Sequence, residues 1–362
     1  MTRLLWERSG RFDDALEICE GRLLVVFFET TDFCNARCVM CGSNLMRRRR
    51  QIMPMDLFRT AVKQFAAAKG HSVMLSAFGE PLLDPYLIDR IAFIREFATI
   101  QNIGFSTNGS LLTSEKYRAL AEAGLKNLSI SIDGFQRETY EKIRVGLSFD
   151  NLEKNMIEVL GVHEALNRPI RITVSSFTSE SPKDLARSRL YNRLVEAGIH
   201  PGLKWRVDNW GGLISQVKEG LWLMGRPAHR GPCALLCDGS ALVFPDGRIS
   251  PCHCRDLECD IYIGNIQEDS LLEIWRGELL EDFRREQRIG RFRAPCASCS
   301  AYITLRQWFS RSMVRWIRSY NERMPLDERW NSTVGSGHGG DVLEKKGKGS
   351  KAGEEIPLEA RS

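Results

Sequence analysis

Long apolar runs are absent from this sequence of 362 residues, and no stretch is long enough to cross a bilayer. The first residues, 1–7, also lack the apolar core of a secretion signal, so we expect a cytoplasmic protein. A strong excess of one charge is missing as well, because 51 Lys and Arg stand against 46 Asp and Glu. The chain therefore has no strongly basic composition, and we expect no nucleic-acid partner.

The segment 33–42 lacks a fourth metal ligand. It contains Cys34, Cys38 and Cys41, but no further Cys or His that would complete a tetrahedral site. Three thiolates this close on one loop can hold a single soft-metal centre. A cubane iron–sulfur cluster on three cysteines leaves one iron open to a substrate or cofactor. Structural cysteines or a zinc loop are the alternatives, although zinc loops mostly carry paired Cys-x-x-Cys ligands.

The eleven cysteines of the chain are too many to be incidental. Ten of them fall into two groups, which span residues 34–41 and 233–299, and Cys19 stands alone. In a chain that is not exported, such groups indicate metal binding rather than disulfides.

Strands and helices alternate in the first two thirds of the chain. The apolar run 23–29 is typical of a strand buried on both faces of a parallel sheet. Ser114 is a plausible N-cap of one helix, and Gly124 follows its end. About six strand–helix units predict an α/β fold with a parallel sheet. We expect strands at 23–29, 73–76, 103–107, 128–132, 170–174 and 203–207, and helices at 56–69, 85–97, 114–123, 151–166 and 183–197.

The Cys-x3-Cys-x2-Cys spacing of Cys34, Cys38 and Cys41 resembles the radical S-adenosylmethionine (radical SAM) superfamily. The resemblance implies an open, partial (β/α)6 TIM-like barrel over residues 23–210. It also implies a 4Fe–4S cluster whose fourth iron is chelated by SAM. An electron from a donor such as flavodoxin or ferredoxin would cleave SAM to methionine and a 5′-deoxyadenosyl radical, which removes a hydrogen atom from a substrate. In such barrels the chemistry lies at the carboxyl ends of the strands.

The motif 78–81, Phe-Gly-Glu-Pro, resembles the family's Gly-Gly-Glu motif, with Phe78 in place of the first glycine. The resemblance assigns Gly79 and Glu80 to the methionine end and the amino group of SAM. Met40 stands beside the third cysteine, where the family usually has an aromatic residue and where the backbone commonly meets adenine. A Gly-Glu-Pro turn without a binding role is the alternative.

Further SAM contacts are expected after the third and fourth strands. Asn108 and Ser131 are short polar residues at predicted strand ends. In the resembling enzymes a serine placed like Ser131 and a later arginine contact the SAM carboxylate, and Arg144 is the candidate here because a guanidinium pairs a carboxylate bidentately. Asn108 as a turn residue and Arg144 as a solvated helix end are the alternatives.

The second cysteine group resembles the SPASM/Twitch extension of radical SAM enzymes. Its Asp246-Gly247 pair predicts a tight hairpin that brings two strands together. The group ends at Cys299, without the longer cysteine series of full SPASM domains, so we expect one auxiliary 4Fe–4S cluster. The expected ligands are Cys233, Cys252, Cys296 and Cys299, with Cys237 as an alternative to Cys233.

Cys254 and Cys259 are alternative ligands of this cluster or unligated thiols, and zinc is the alternative metal. We expect His253 to be a hairpin residue rather than a ligand. The domain prediction is completed by a lead-in over 1–22, a linker over 211–232, an auxiliary cluster domain over 233–300, an amphipathic helix over 301–330 and a disordered tail over 331–362.

The resemblance implies a radical SAM enzyme but leaves its substrate open. Only about 22 residues precede the first predicted strand, too few for the N-terminal domain that peptide modifiers often carry. We therefore favour a small carbohydrate-like or anionic molecule, oxidised with the auxiliary cluster as electron acceptor. Alternatively, Cys254 or Cys259 donates a hydrogen atom in an epimerisation. Two more interpretations are a peptide- or protein-modifying maturase and a non-catalytic iron–sulfur or zinc scaffold.

The run Arg47–Arg50 follows the cysteine loop, and residues 303–320 have a helical period with arginines largely on one face. The plainer interpretation is a solvated loop and a helix packed on the barrel. The alternative is attraction to an anionic substrate or to an anionic membrane surface, where each basic residue contributes about 1 kcal/mol.

Overall fold

The strands of this computed structural model, which describes residues 21–308, form one large sheet and a small pair. Within that part of the chain the large sheet has nine strands. The strands are β1 (Val25–Phe28), β2 (Ser72–Met74), β3 (Asn102–Thr107), β4 (Asn127–Ser131), β5 (Arg171–Phe177), β6 (Gly202–Lys204), β7 (Arg206–Val207), β8 (Trp222–Leu223), β9 (Ser240–Val243), β10 (Arg248–Ser250) and β11 (Gly264–Asn265).

The order of the large sheet is β11-β10-β9-β1-β2-β3-β4-β5-β6. Strands β1 to β6 are parallel in sequence order, so their carboxyl ends lie at one edge. The described sheet does not close on itself, since β6 and β11 remain at its two ends. The expectation of an α/β fold with an open parallel barrel is therefore confirmed.

Helices follow the parallel strands and bury their apolar faces against them. Phe58 and Phe65 of the first helix, for example, are fully buried, and Phe28 packs edge-on against Phe58. The described helices are α1 (Met55–Ala67), α2 (Leu87–Ile94), α3 (Ser114–Ala123), α4 (Arg137–Ile143), α5 (Phe149–Ala165), α6 (Pro182–Arg187), α7 (Arg189–Glu196), α8 (Leu271–Arg276), α9 (Glu278–Arg288) and α10 (Leu305–Trp308).

Three helical details differ from the sequence prediction. The cap of α3 is Thr113, whose hydroxyl accepts from Lys116 N, rather than Ser114, whereas Gly124 ends the helix in the left-handed conformation as expected. The helix expected over 183–197 is two helices, because Ser188 ends α6 and caps α7. The short helix α4 was not predicted.

The auxiliary region contributes strands to the barrel sheet. β9 pairs in parallel with β1, with Val26 opposite Ala241, and β10 returns antiparallel to β9. The hairpin expected at Asp246-Gly247 is thus present, with Gly247 at a φ of +88°. The region predicted as a separate small domain therefore continues the main sheet beyond β1, and β8 falls in the segment predicted as a linker.

Two of the four arginines in the run, Arg48 and Arg50, turn inward, which corrects the interpretation of the run as a wholly solvated loop, whereas Arg47 and Arg49 are exposed. The attraction of this run to an anionic partner stays a prediction. Arg48 donates to Glu29 at 2.5 Å, to Asp32 at 2.8 Å and to the carbonyl of Leu257 at 2.7 Å. Arg50 donates to the carbonyls of Asp32 and Ser43. These two guanidinium groups hold the chain around the cysteine loop and are not available to a membrane or an anionic ligand.

The remaining domain predictions concern residues outside the described part of the chain. Apart from α10, the helix expected over 301–330 lies there, as do nearly all of 1–22 and all of 331–362. Among residues 21–308, no helix combines the length and the apolar character needed to span a membrane.

Candidate functional site

The carboxyl ends of β1 to β5 open into one cavity of about 290 Å³. Its lining includes every residue that the sequence assigned to the radical cluster or to SAM. These are Cys34, Cys38, Met40, Cys41, Gly79, Glu80, Asn108, Ser131 and Arg144. Because parallel strands end at one edge, residues scattered over more than a hundred positions of sequence converge here.

The cysteine loop is held by backbone hydrogen bonds to the segment after α4. Arg37 N donates to Val145 O at 2.8 Å, and Val39 N donates to Ile143 O at 3.0 Å. Burial raises the pKa of Cys34, of Cys38 and of Cys41, and in the last case burial and the neighbouring thiols together bring the pKa to about 12. Metal binding at such thiols would release protons.

Arg144 is anchored by the buried carboxylate of Asp133. The guanidinium donates to Asp133 Oδ2 at 2.6 Å, and Asp133 Oδ1 accepts from Phe177 N at 2.6 Å. Burial raises the pKa of Asp133 and Arg144 lowers it, whereas the carboxylate keeps the pKa of Arg144 above its ordinary value despite burial. Arg144 also lowers the pKa of Cys38, so a positive charge lies beside the cysteine loop.

Glu80 ties the second and third strand ends together. Oε1 accepts from Leu82 N at 3.1 Å and from the Thr107 hydroxyl at 2.6 Å, and Oε2 accepts from Asn108 N at 2.7 Å. The side chain is only 2% exposed, and this desolvation raises its pKa while the three hydrogen bonds lower it. The carboxylate thus reaches the cavity from a fixed position.

Gly79 is required by the packing of the cysteine loop. A Cβ at this position would lie 2.2 Å from Thr31 O and 2.9 Å from Phe33 O, so no larger residue fits without backbone movement. Asn108 donates through Nδ2 to Asn35 Oδ1 at 2.9 Å, which joins the third strand end to the same loop. Ser131 ends β4 and lines the cavity.

Sequence reasoning missed five cavity residues that come from β5 and from the chain after β6. Arg255 pairs bidentately with Asp208, and its guanidinium lies 4.7 Å from the centre of the Trp210 ring. Three of the five residues occupy irregular segments, whereas two end strands, Phe177 in β5 and Val207 in β7. The sequence signal for this group is a tryptophan shortly after the last predicted barrel strand. The five are Phe177, Val207, Asp208, Trp210 and Arg255.

The four cysteines expected to hold the auxiliary cluster form a second, half-buried group. Charge on Cys233 raises the pKa of Cys296, and charge on Cys296 raises that of Cys252, in both cases after the larger effect of burial. Cys299 affects Cys233 in the same way. Cys254 belongs to this neighbourhood, because it raises the pKa of Cys252.

The remaining second-group residues face elsewhere. Cys237 is fully buried in the apolar core beside the 3-10 turn that it ends. Cys259 packs with Phe78 and Phe244, its thiol donates to Ile249 O at 3.8 Å, and it is not among the cavity residues. Neither Cys254 nor Cys259 lines the cavity, and a role for either thiol as a hydrogen-atom donor stays a prediction. His253 lies in the turn after β10 and stacks on Phe27 of β1, with ring centres 4.0 Å apart.

The donor set fits iron–sulfur clusters. Within residues 21–308, no three His, Cys, Asp or Glu side chains converge closely enough to hold a single metal ion. The three loop thiols instead line one cavity, and a cluster binds each thiolate through a different iron. Arg144 beside Cys38 offsets the negative charge that thiolate ligation brings.

An open parallel α/β barrel with a three-cysteine loop after its first strand defines the class of radical SAM enzymes, and family comparison agrees. The radical SAM superfamily matches residues 28–163, and an iron–sulfur cluster-binding domain, SPASM, matches residues 233–300. The chain therefore belongs to the radical SAM superfamily and carries a SPASM domain, which implies a SAM-binding 4Fe–4S cluster and an auxiliary cluster.

Relatives of several activities are similar to this chain. The GTP 3′,8-cyclase of Limosilactobacillus fermentum is 33% identical over 137 residues, which is 37% of this chain and 40% of that protein. The PqqA peptide cyclase of Gluconobacter oxydans is 26% identical over 299 residues, 75% of this chain and 81% of that protein. The chain thus spans less than half of the former relative's length and most of the latter's.

Among solved structures, the chain resembles BtrN in complex with AdoMet and 2-DOIA. The TM-score is 0.54 at 19% identity, over 78% of this chain and 96% of BtrN. At this identity the similarity shows the fold alone.

Proposed function

We propose that this enzyme cleaves SAM reductively in the cavity at the strand ends and removes a hydrogen atom from a bound substrate. The observation that carries the proposal is the convergence of Cys34, Cys38 and Cys41 with Glu80 and Arg144 around one cavity. When bound, the radical cluster and SAM supply the radical that removes the hydrogen atom, and the auxiliary cluster supplies a one-electron acceptor.

The protein's own residues would bind and orient SAM. Three protein groups donate hydrogen bonds to the Glu80 carboxylate, which has a further lone pair. This lone pair would accept a hydrogen bond from the SAM amino group. Arg144, held by Asp133, would donate its remaining N–H groups to the SAM carboxylate. Both groups are fixed by buried contacts before the ligand arrives, which lowers the cost of ordering them on binding.

The charges of the cavity favour an uncharged substrate group. Each of the two cavity arginines, Arg144 and Arg255, is paired with a buried or nearly buried aspartate, and Glu80 adds a further carboxylate. No unpaired cation among the described cavity residues would attract a phosphate. We therefore narrow the expected substrate from a carbohydrate-like or anionic molecule to one that presents a hydroxyl or amide. Its oxidation would remove a hydrogen atom, one further electron, which the auxiliary cluster would accept, and the proton of the hydroxyl or amide group, which would pass to solvent.

A peptide substrate is the second candidate. The similarity to PqqA peptide cyclase extends over most of both chains. In addition, Trp205 and Trp222, 58% and 70% exposed, lie on adjacent chain segments, where Trp222 N donates to Trp205 O at 2.9 Å, next to the β7 segment that reaches the cavity. Exposed aromatic side chains beside a cavity are apolar surface on which an extended peptide can pack.

The test is formation of 5′-deoxyadenosine from SAM by the reconstituted, reduced protein under anaerobic conditions. We expect the wild type to form it and the variant Cys34→Ala/Cys38→Ala/Cys41→Ala to form none while retaining the iron of the auxiliary cluster. Product formation by this triple variant would refute the assignment of the radical site. Absence of product from the wild type would favour the scaffold interpretation.

A further inference from the structure

Residues 208–212, which we name the bridge segment, adopt an unusual backbone. Trp210, Gly211 and Gly212 all have positive φ, at +49°, +67° and +100°. Glycine adopts this conformation readily, but a bulky side chain such as tryptophan does so rarely and under strain. Strained residues persist only where surrounding contacts hold them, and they cluster at functional sites.

One side of the bridge segment contacts the radical-cluster loop. Trp210 Nε1 donates to Met40 O at 2.8 Å. The indole ring also covers Gly42, where a Cβ would come within 2.7 Å of the ring. Met40 and Gly42 flank the ligand Cys41, so the position of the indole bears directly on the third cysteine.

The other side of the bridge segment contacts the chain around Cys299. Asn209 Nδ2 donates to Ser298 O at 2.7 Å, Asn209 N donates to Ser300 Oγ at 2.8 Å, and Ser300 N returns a bond to Asn209 Oδ1 at 2.9 Å. Gly212 packs so closely on Ser298 that a Cβ would lie 2.7 Å from the serine Cβ. These contacts hold the backbone on both sides of Cys299, the last cysteine expected to bind the auxiliary cluster.

A third set of contacts runs from the bridge segment to the residue after Cys254. Asp208 accepts hydrogen bonds from Nε and Nη2 of Arg255, and the Arg255 guanidinium stacks on Trp210. Arg255 also donates to Cys254 O, which lies in the auxiliary group. The chain around Cys299 and the chain at Cys254 are therefore both connected to the radical-cluster loop through the bridge segment and its Trp210.

We infer that the bridge segment couples the two cluster sites, with Trp210 as the positioning residue. Assembly of the auxiliary site orders residues 298–300 and Arg255, these hold Trp210 in its strained conformation, and Trp210 holds Met40–Gly42 in the position that binds SAM. The inference rests on the proposed function, and it requires that an occupied auxiliary site raises the affinity for SAM through Trp210.

The experiment is a double-mutant cycle on SAM affinity, measured by anaerobic equilibrium dialysis of reconstituted protein with labelled SAM. Cys296→Ala/Cys299→Ala removes the auxiliary cluster, and Trp210→Ala removes the link. We expect loss of the auxiliary cluster to weaken SAM binding by about fivefold or more in the wild-type background, but by less than about twofold in the Trp210→Ala background.

Trp210→Phe provides a milder variant that keeps an aromatic ring but loses the hydrogen bond to Met40. It should weaken SAM binding and change the EPR signal of the reduced, SAM-bound radical cluster while iron content stays at the wild-type level. Tyr86→Phe, which removes the polar hydrogen of an exposed aromatic residue outside the cavity, is the matched control and should match the wild type in both measurements.

Two results would overturn the inference: an equal loss of SAM affinity on auxiliary-cluster removal in the Trp210→Ala and wild-type backgrounds, or a Trp210→Phe variant with wild-type affinity and EPR signal. Failure of the proposed function looks different, because the wild type itself would then neither bind nor cleave SAM.

Discussion

At the scale of single residues, the geometry of the site depends on buried carboxylates whose oxygens accept hydrogen bonds from defined neighbours. Glu80 is the clearest case, since both oxygens accept from neighbours on the second and third strand ends. A glutamine of the same shape replaces one acceptor oxygen by a donor, which leaves a buried N–H or hydroxyl without its partner.

We expect Glu80→Gln to lower the free energy of unfolding by about 1–3 kcal/mol and to weaken SAM binding. Urea unfolding and equilibrium dialysis with SAM are the measurements. Glu96→Gln, on the exposed surface, is the control and should change neither quantity. Wild-type stability and SAM affinity in Glu80→Gln would contradict the role assigned to this carboxylate.

His71 makes a residue-scale prediction about pH. Burial lowers its pKa from the ordinary value of 6.5 to about 4. Between these values the unfolded chain binds a proton that the folded chain does not, so the stability contributed by neutral His71 is present above pH 6.5 and is lost as the pH falls towards 4. Linkage places the loss at about 1 kcal/mol by pH 5.5.

We therefore expect His71→Asn to reduce the fall in urea midpoint between pH 7.5 and pH 5.5. His200→Asn, at an exposed position, serves as the control and should keep the wild-type pH dependence. An unchanged pH dependence in His71→Asn would show that other groups dominate acid sensitivity in this range.

At the scale of elements, Arg48 joins three parts of the chain. It reaches Glu29 after β1, Asp32 before the cysteine loop and Leu257 in the auxiliary region, and its side chain is 8% exposed. Removing it leaves two buried carboxylates without their cation. Arg49, the next residue, is exposed and offers a matched control.

We expect Arg48→Met to lower the free energy of unfolding by about 3–5 kcal/mol, because the buried partners lose their compensating charge. Arg49→Met should stay within about 0.5 kcal/mol of the wild type. Comparison of the two urea midpoints is sufficient, and equal midpoints would show that the Arg48 contacts contribute nothing to stability.

Elements with a clear pattern were predictable from the sequence, and elements set by context were not. The all-apolar stretch around Val25–Phe28 and the cap at Gly124 have local causes, so their positions were found closely. The split at Ser188 was missed because a serine is compatible with a helix interior and with a cap. The helix α4 has seven residues, too few for a period to stand out.

The site shows the same division. The cysteine loop, Glu80, Asn108 and Ser131 lie at or next to predicted strand ends, so their convergence followed from the parallel sheet. Arg144 instead follows helix α4, and its position was predicted only from the family resemblance. Trp210 and Arg255 reach the cavity through irregular backbone and long-range pairing, neither of which leaves a periodic pattern. The inward direction of the Arg48 side chain likewise depends on its buried carboxylate partners, which are distant in sequence.

At the scale of the whole molecule, two cluster sites in one chain fix the metal content. With a cubane at each site, we expect about eight irons per chain after anaerobic reconstitution. Cys296→Ala/Cys299→Ala should remove about half. A wild-type content near four or near twelve, determined by iron analysis against protein concentration, would contradict the arrangement of one radical and one auxiliary cluster.

The pairing of β1 with β9 has a consequence for the order of folding during synthesis. Val25 pairs with Ser240, so one edge of the central strand stays uncovered until most of the chain has been translated. At ordinary rates of protein synthesis this interval is on the order of 10–40 s. An unpaired apolar strand edge is a template for aggregation. A nascent chain halted before Ser240 should therefore depend on chaperones, whereas one that has passed Asn265 can complete the described sheet.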